Sequence, residues 1–88
     1  MSVQDTSSAV YYNEIEPKLG IKQKRVLHAL AQSKRAVNNQ EVADFLDQPI
    51  NTITPRMNEL VKLGKVRMAF KDIYPKTNRR VIYWELND

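Results

Sequence analysis

The chain of 88 residues contains no cysteine and only two glycines. Without cysteine it can form neither disulfides nor thiolate metal sites, which fits a reducing compartment, and we expect a cytoplasmic protein. With glycine only at positions 20 and 64, a glycine-rich phosphate loop is excluded. The single histidine, His28, has no acidic residues around it at metal-ligand spacing. The sequence therefore predicts a protein that is not an enzyme and needs no metal, cofactor or small-molecule ligand.

Long apolar runs are also missing. No run approaches the roughly 20 residues that a helix needs to cross a bilayer. The first twelve residues have neither the cationic start nor the apolar stretch of a signal peptide. We therefore expect no membrane partner, and the length suits one small domain with a single core.

Positive charge is concentrated in two segments of the chain. The net charge is +4, but residues 21–38 carry five cations and no acid, and residues 64–88 carry six cations against three acids. Residues 1–20 and 39–63 are each net acidic. Clustered cations attract polyanions such as nucleic acids, although small domains also carry such charge for solubility. Charge by itself leaves both interpretations open.

Apolar residues at helical spacing predict three helices. The first covers residues 21–33, and a short extended link joins it to a second at about 40–46, capped by Asn38 or Asn39. A turn with Ile50 in the angle between the helices leads into the third. Pro55 is compatible with a helix only near its start. The third helix therefore begins at residue 51 or 52 and ends near 63.

The third predicted helix has one apolar side and one polar side. Ile53, Met57 and Leu60 share the apolar side at 3.6 residues per turn. Gly64 can adopt the left-handed conformation that ends a helix. The opposite side carries short polar and charged side chains, which are free to meet a partner or solvent.

Two strands are predicted to follow, over residues 66–71 and 80–86, joined by a long connection. Alternation places Met68 and Phe70 toward the core and Tyr83 on the surface. The connection would carry cationic side chains near its tip. Cations on such a hairpin can reach phosphates or an adjacent minor groove.

The order helix, link, helix, turn, helix, strand, loop, strand resembles that of winged helix-turn-helix domains. The third helix, Asn-Thr-Ile-Thr-Pro-Arg at 51–56 followed by Met-Asn-Glu-Leu-Val-Lys-Leu-Gly-Lys-Val at 57–66, is similar to that of compact bacterial, plasmid and phage members. The resemblance implies an α+β fold at 21–88, with a three-helix core and a C-terminal β-hairpin wing. Residues 1–20 would form an N-terminal arm or short helix.

The resemblance also implies double-stranded DNA as the partner, with the third helix in the major groove and the wing on the flanking backbone. From the residues themselves, Asn58 and Arg56 are types that pair bidentately with adenine and guanine edges. Hydroxyls near the start of the helix can donate to phosphates. The predicted DNA-binding residues are Asn51, Thr52, Thr54, Pro55, Arg56, Asn58 and Lys62 on the helix and Lys76 and Arg79 on the wing.

Several functions remain open at this point. The leading one is a sequence-specific DNA-binding protein, either a transcriptional regulator or a phage or mobile-element accessory factor. The alternative is a winged-helix protein-interaction module without DNA binding, which the four acids in residues 39–63 keep open. RNA or single-stranded DNA binding would need exposed aromatic platforms.

One module makes few base contacts, and the apolar residues in 9–16 would allow a homodimer through the N-terminal segment.

Overall fold

A computed structural model describes residues 19–87, so the predicted N-terminal arm lies almost wholly outside the described residues. Three helices precede an antiparallel hairpin. The elements are α1 (Ile21–Ser33), α2 (Asn39–Leu46), α3 (Ile50–Lys62), β1 (Val66–Tyr74) and β2 (Arg79–Leu86). This α+β layout is compatible with a winged helix. No helix within residues 19–87 combines the length and apolar character needed to cross a membrane.

Asn38 fixes the start of α2. Its Oδ1 accepts the backbone N–H of Glu41 at 2.8 Å, and the Glu41 carboxylate accepts the backbone N–H of Asn38 at 3.1 Å. This capping box satisfies two N–H groups that the helix itself cannot pair. Asn38, rather than Asn39, is therefore the cap, and Asp47 ends the helix in the left-handed region with φ of 55°.

The third helix begins slightly earlier than predicted, at Ile50, after Pro49 as its N-cap. Pro55 therefore lies one or two residues further into the helix than the sequence suggested. It removes the N–H that would bond the carbonyl of Asn51. Both residues lie on the exposed side, where solvent can replace that bond.

The core lies between the three helices and the base of the hairpin. Met57 and Leu60 of α3 are completely buried, and apolar residues of α1, α2 and the hairpin surround them. Leu46 packs against this core, whereas the neighbouring Phe45 is exposed. The prediction that Ile50 fills the angle between the helices is wrong, because 41% of its surface is exposed.

The extended link before α2 pairs with the hairpin. Val37 and Trp84 exchange two backbone hydrogen bonds, of 3.0 and 2.7 Å. The β2 strand therefore lies between Val37 on one side and β1 on the other. This pairing holds the buried Trp84 against the helices and attaches the hairpin to the core.

A bulge at Ala69 overturns the predicted facing of β1. Met68 pairs with Trp84, but Phe70 pairs with Tyr83, which leaves Ala69 without a partner. Because side chains alternate along a strand, the additional residue turns Phe70 to the outer face of the hairpin. There its ring stacks on that of Tyr83, with centroids 4.8 Å apart.

The predictions for three hairpin side chains are wrong, although Met68 precedes the bulge and pairs with the buried Trp84. Phe70 and Met68 are about half exposed, at 48% and 52%, instead of inward. Tyr83 is buried beneath Phe70 instead of lying on the surface. The same bulge has a consequence for charge, because it places Lys71 beside Ile82 on the face toward the helices and Asp72 on the outer face.

The connection between the strands is shorter than the sequence suggested. Both strands extend toward the tip, and only residues 75–78 form the turn. Backbone N–H groups of Thr77 and Asn78 donate to the carbonyl of Tyr74, and Asn78 is left-handed with φ of 57°. Longer strands keep the distal cations on regular backbone rather than on a loose loop.

Candidate nucleic-acid interface

A groove with a volume of about 850 Å³ separates α3 from the hairpin. The side of α3 that lines it carries Ile50, Thr54 and Asn58. The beginning of α2 forms one end, with Asn38, Asn39 and Gln40. The hairpin contributes three cations to the lining: Lys71, Arg79 and Arg80.

The three hairpin cations are the main positive charge in this groove. Lys71, Arg79 and Arg80 are exposed, and none forms an ion pair within residues 19–87. Arg79 was predicted as a site residue, whereas Lys71 and Arg80 were not. The sequence signal for Lys71 is weak, because the bulge at Ala69 decides which face of the hairpin Lys71 occupies. Positive charge without a local partner is available for an anionic ligand.

Lys76, the other predicted wing residue, lies at the turn. Its Nζ is 3.5 Å from a carboxylate oxygen of Asp44 on α2, and both side chains are largely exposed. An exposed pair of this kind contributes at most about 1 kcal/mol. Lys76 can therefore exchange its partner for a phosphate, although Asp44 offsets part of its charge.

The predicted residues of α3 divide among three sides of the helix. Thr54 and Asn58 face the groove, and the Asn39 amide donates to the Thr54 hydroxyl at 3.3 Å. An exposed face, the crest of the helix, carries Asn51, Pro55 and Lys62. At 100° per residue, this crest lies opposite the buried Ile53–Leu60 side. The groove side and the crest together form one continuous polar surface.

Thr52 and Arg56 lie on the third side, toward α1. The Thr52 hydroxyl donates to the carbonyl of Pro49 at 2.8 Å. The Nε and Nη2 atoms of Arg56 bind both carboxylate oxygens of Glu59, each at 2.8 Å. Gln23 of α1 donates to the same carboxylate at 2.7 Å. Arg56 is therefore held away from the groove by a bidentate partner.

The contact between Arg56 and Glu59 shifts the pKa of both groups. The hydrogen bond from Arg56 is the largest cause that lowers the pKa of the Glu59 carboxyl, and the bond from Gln23 adds to it. The same hydrogen bond raises the pKa of the Arg56 guanidinium. Both groups are consequently charged at neutral pH, and the pair presents little net charge to a partner.

Substitution Arg56→Gln is expected to raise the pKa of the Glu59 carboxyl toward its usual value, because the strongest hydrogen bond to the charged form is lost. The folded-state pKa of Glu59 is depressed. Its stabilising contribution is therefore present above the unfolded-state pKa and lost as pH falls through the folded-state pKa. An NMR titration of the carboxyl measures this shift. Arg67→Gln, which disrupts the ion pair with Glu85, is the matched control and should leave Glu59 unchanged.

The groove combines positive charge with amide and hydroxyl groups. Its cations can neutralise anionic groups, while Asn58 and Thr54 can form directional hydrogen bonds. Within residues 19–87, no three His, Cys, Asp or Glu side chains are grouped to hold a metal ion. The arrangement suits non-covalent binding of an anion-rich partner.

No protein-family model matches the chain, and no curated protein matches it at a significant level. The similarity to winged helices therefore rests on the residues and on the helix-plus-hairpin layout.

Proposed function

We propose that this chain is a small sequence-specific protein that binds double-stranded DNA, with α3 in the major groove and the hairpin on the flanking backbone. The observation that carries the proposal is the convergence of Lys71, Arg79 and Arg80 on the groove beside Thr54 and Asn58. Unpaired cations next to a polar helix side match a phosphate backbone next to exposed base edges.

The exposed side of α3 supports base recognition. A major groove about 12 Å wide admits one α-helix. Asn58 is exposed on this side and can pair bidentately with an adenine edge. Arg56 is the less suitable of the two predicted base-recognition residues, because Glu59 binds its guanidinium. We therefore assign base recognition first to Asn58, with Asn51 and Lys62 beside it.

The hairpin supports contacts with phosphates. When a helix occupies the major groove, the sugar–phosphate strand at the groove edge runs beside it. The cleft between α3 and β2 would then receive that strand, with cations on its far wall. Each phosphate neutralised contributes about −0.9 to the slope of log affinity against log salt. Three such contacts make duplex binding strongly salt-dependent.

The biological role would be occupation of a DNA site, as a transcriptional regulator or a mobile-element accessory factor. One module of this size contacts few base pairs, so two copies on one site would provide the specificity that regulation requires. Homodimerisation through the predicted N-terminal segment stays a prediction, because that segment lies outside the described residues.

Selection from a random duplex pool at two salt concentrations tests the proposal. We expect an enriched motif, and affinity for it that falls steeply as salt rises. A palindromic motif would indicate two bound copies. Recovery of no motif, together with duplex binding that does not respond to salt, would show that the groove has another ligand.

Glu59→Gln is expected to raise duplex affinity about three- to tenfold, because loss of one carboxylate near phosphates and release of the Arg56 guanidinium add roughly one cationic contact. Fluorescence anisotropy with the selected duplex measures the change. Glu85→Gln removes the same charge from a carboxylate paired with Arg67 on the outer face of the hairpin. Equal gains in both variants would mean that only net charge matters.

A further inference from the structure

The edge of β2 that faces away from β1 is open beyond Trp84. Trp84 directs both its N–H and its C=O to Val37, after which the link turns into α2. Backbone groups point to the same side at every second residue of a strand. The N–H and C=O groups of Ile82 and Arg80 therefore also point away from β1, and nothing within residues 19–87 pairs with them.

This open edge borders the groove, because both Arg80 and Ile82 line it. Residues 79–82 span roughly 13 Å at about 3.3 Å per residue. An unpaired edge of a sheet is a template on which another extended chain can form hydrogen bonds. The length available corresponds to a short peptide segment.

The chemistry of the lining distinguishes a peptide from a nucleic-acid backbone. A phosphodiester offers only acceptors, whereas the open edge presents alternating donors and acceptors. Apolar surface from Ile50, Ile82 and Trp84 also lines the groove. A peptide backbone with apolar side chains matches all of these features.

Charge defines the kind of peptide. Lys71, Arg79 and Arg80 lie along the same groove and have no ion-pair partner within residues 19–87. Acidic side chains on an added strand would meet these cations, and basic side chains would be repelled.

We propose that the groove binds an extended acidic peptide segment of a partner protein, which adds as a strand to the open edge of β2. Because the same three cations serve both ligands, the peptide and DNA exclude each other. The exclusion rests on the proposed function, whereas the peptide binding does not. An acidic partner segment would then release the protein from DNA.

The test uses the full chain and a fluorescein-labelled peptide with three Glu-Val repeats. One control peptide has lysine in place of glutamate. Two other control peptides carry N-methyl groups on alternate backbone amides. One is methylated at every glutamate amide, and the other is methylated at every valine amide. In an added strand only one set of N–H groups faces β2, so one N-methylated peptide should bind at least tenfold more weakly and the other should bind like the parent. The lysine peptide should not bind.

Hydrogen exchange locates the contact. With saturating acidic peptide, exchange at the amides of Arg80 and Ile82 should slow at least tenfold, while the amides of α1 should be unaffected. If both N-methylated peptides bind like the parent, the attraction is only electrostatic and the strand addition is wrong. Absence of any binding by the acidic peptide also overturns the inference.

Competition separates this inference from the proposed function. The acidic peptide should displace a duplex selected from the random pool. Peptide binding without any duplex binding would remove the DNA proposal and leave the peptide site intact. Duplex binding without peptide binding would remove the peptide site alone.

Discussion

Replacing Lys71, Arg79 and Arg80 together by glutamine is expected to weaken duplex DNA binding on the order of 500-fold near 0.1 M salt, since each lost phosphate contact costs roughly eightfold there. The three side chains line one groove and have no ion-pair partner within residues 19–87. The slope of log affinity against log salt should become shallower by about 2.7, which is three contacts at about 0.9 each. Anisotropy titrations across a salt series measure both quantities.

A charge-matched variant provides the control. Lys22→Gln, Arg25→Gln and Lys34→Gln remove the same three charges from α1 and its C-terminal end, outside the groove. We expect this variant to lose less than tenfold in affinity, with a nearly unchanged salt slope. Equal losses would mean that long-range attraction, rather than contact in the groove, governs binding. Far-UV circular dichroism should show that both variants remain folded.

Leu60→Ala is expected to lower the free energy of unfolding by about 2–5 kcal/mol, because the side chain is completely buried and leaves a cavity. Small domains are stable by only about 5–15 kcal/mol. Urea denaturation measures the loss. Since α3 forms one wall of the groove, the variant should also weaken ligand binding near its unfolding midpoint, through the smaller folded fraction.

Leu63→Ala is the matched control, because it is the same substitution one turn further along and 56% of Leu63 is exposed. Its effect should stay within about 0.5 kcal/mol, as for other exposed positions. Similar losses at both positions would contradict the burial of Leu60 as the cause of the loss.

The extents of the helices could be predicted to within one or two residues because their causes are local. The apolar spacing over residues 21–33 and 51–63 needs only the helical period. The capping of α2 by Asn38 depends on a carboxylate three residues later. The buried Met57 and Leu60 follow from the same period.

The composition of the groove could be predicted only in part. Thr54, Asn58 and Arg79 were expected at a binding surface, and the structure brings them to one groove. Lys71 was missed, because one additional residue in β1 turns every later side chain of the strand to the opposite face of the hairpin. A bulge leaves no clear mark in an alternating sequence such as this one.

The sequence by itself determined three helices, a hairpin, the core of α3 and the two basic segments, because periodicity, capping and charge act between near neighbours. Only the tertiary structure decided which polar residues share a groove. The pairing of Arg56 with Glu59 is completed by Gln23, which is 36 residues distant along the chain. The open edge of β2 exists because Val37 pairs with Trp84 alone before the chain turns into α2. Such contacts join residues that no local rule connects, so they arise only when the helices and the hairpin pack.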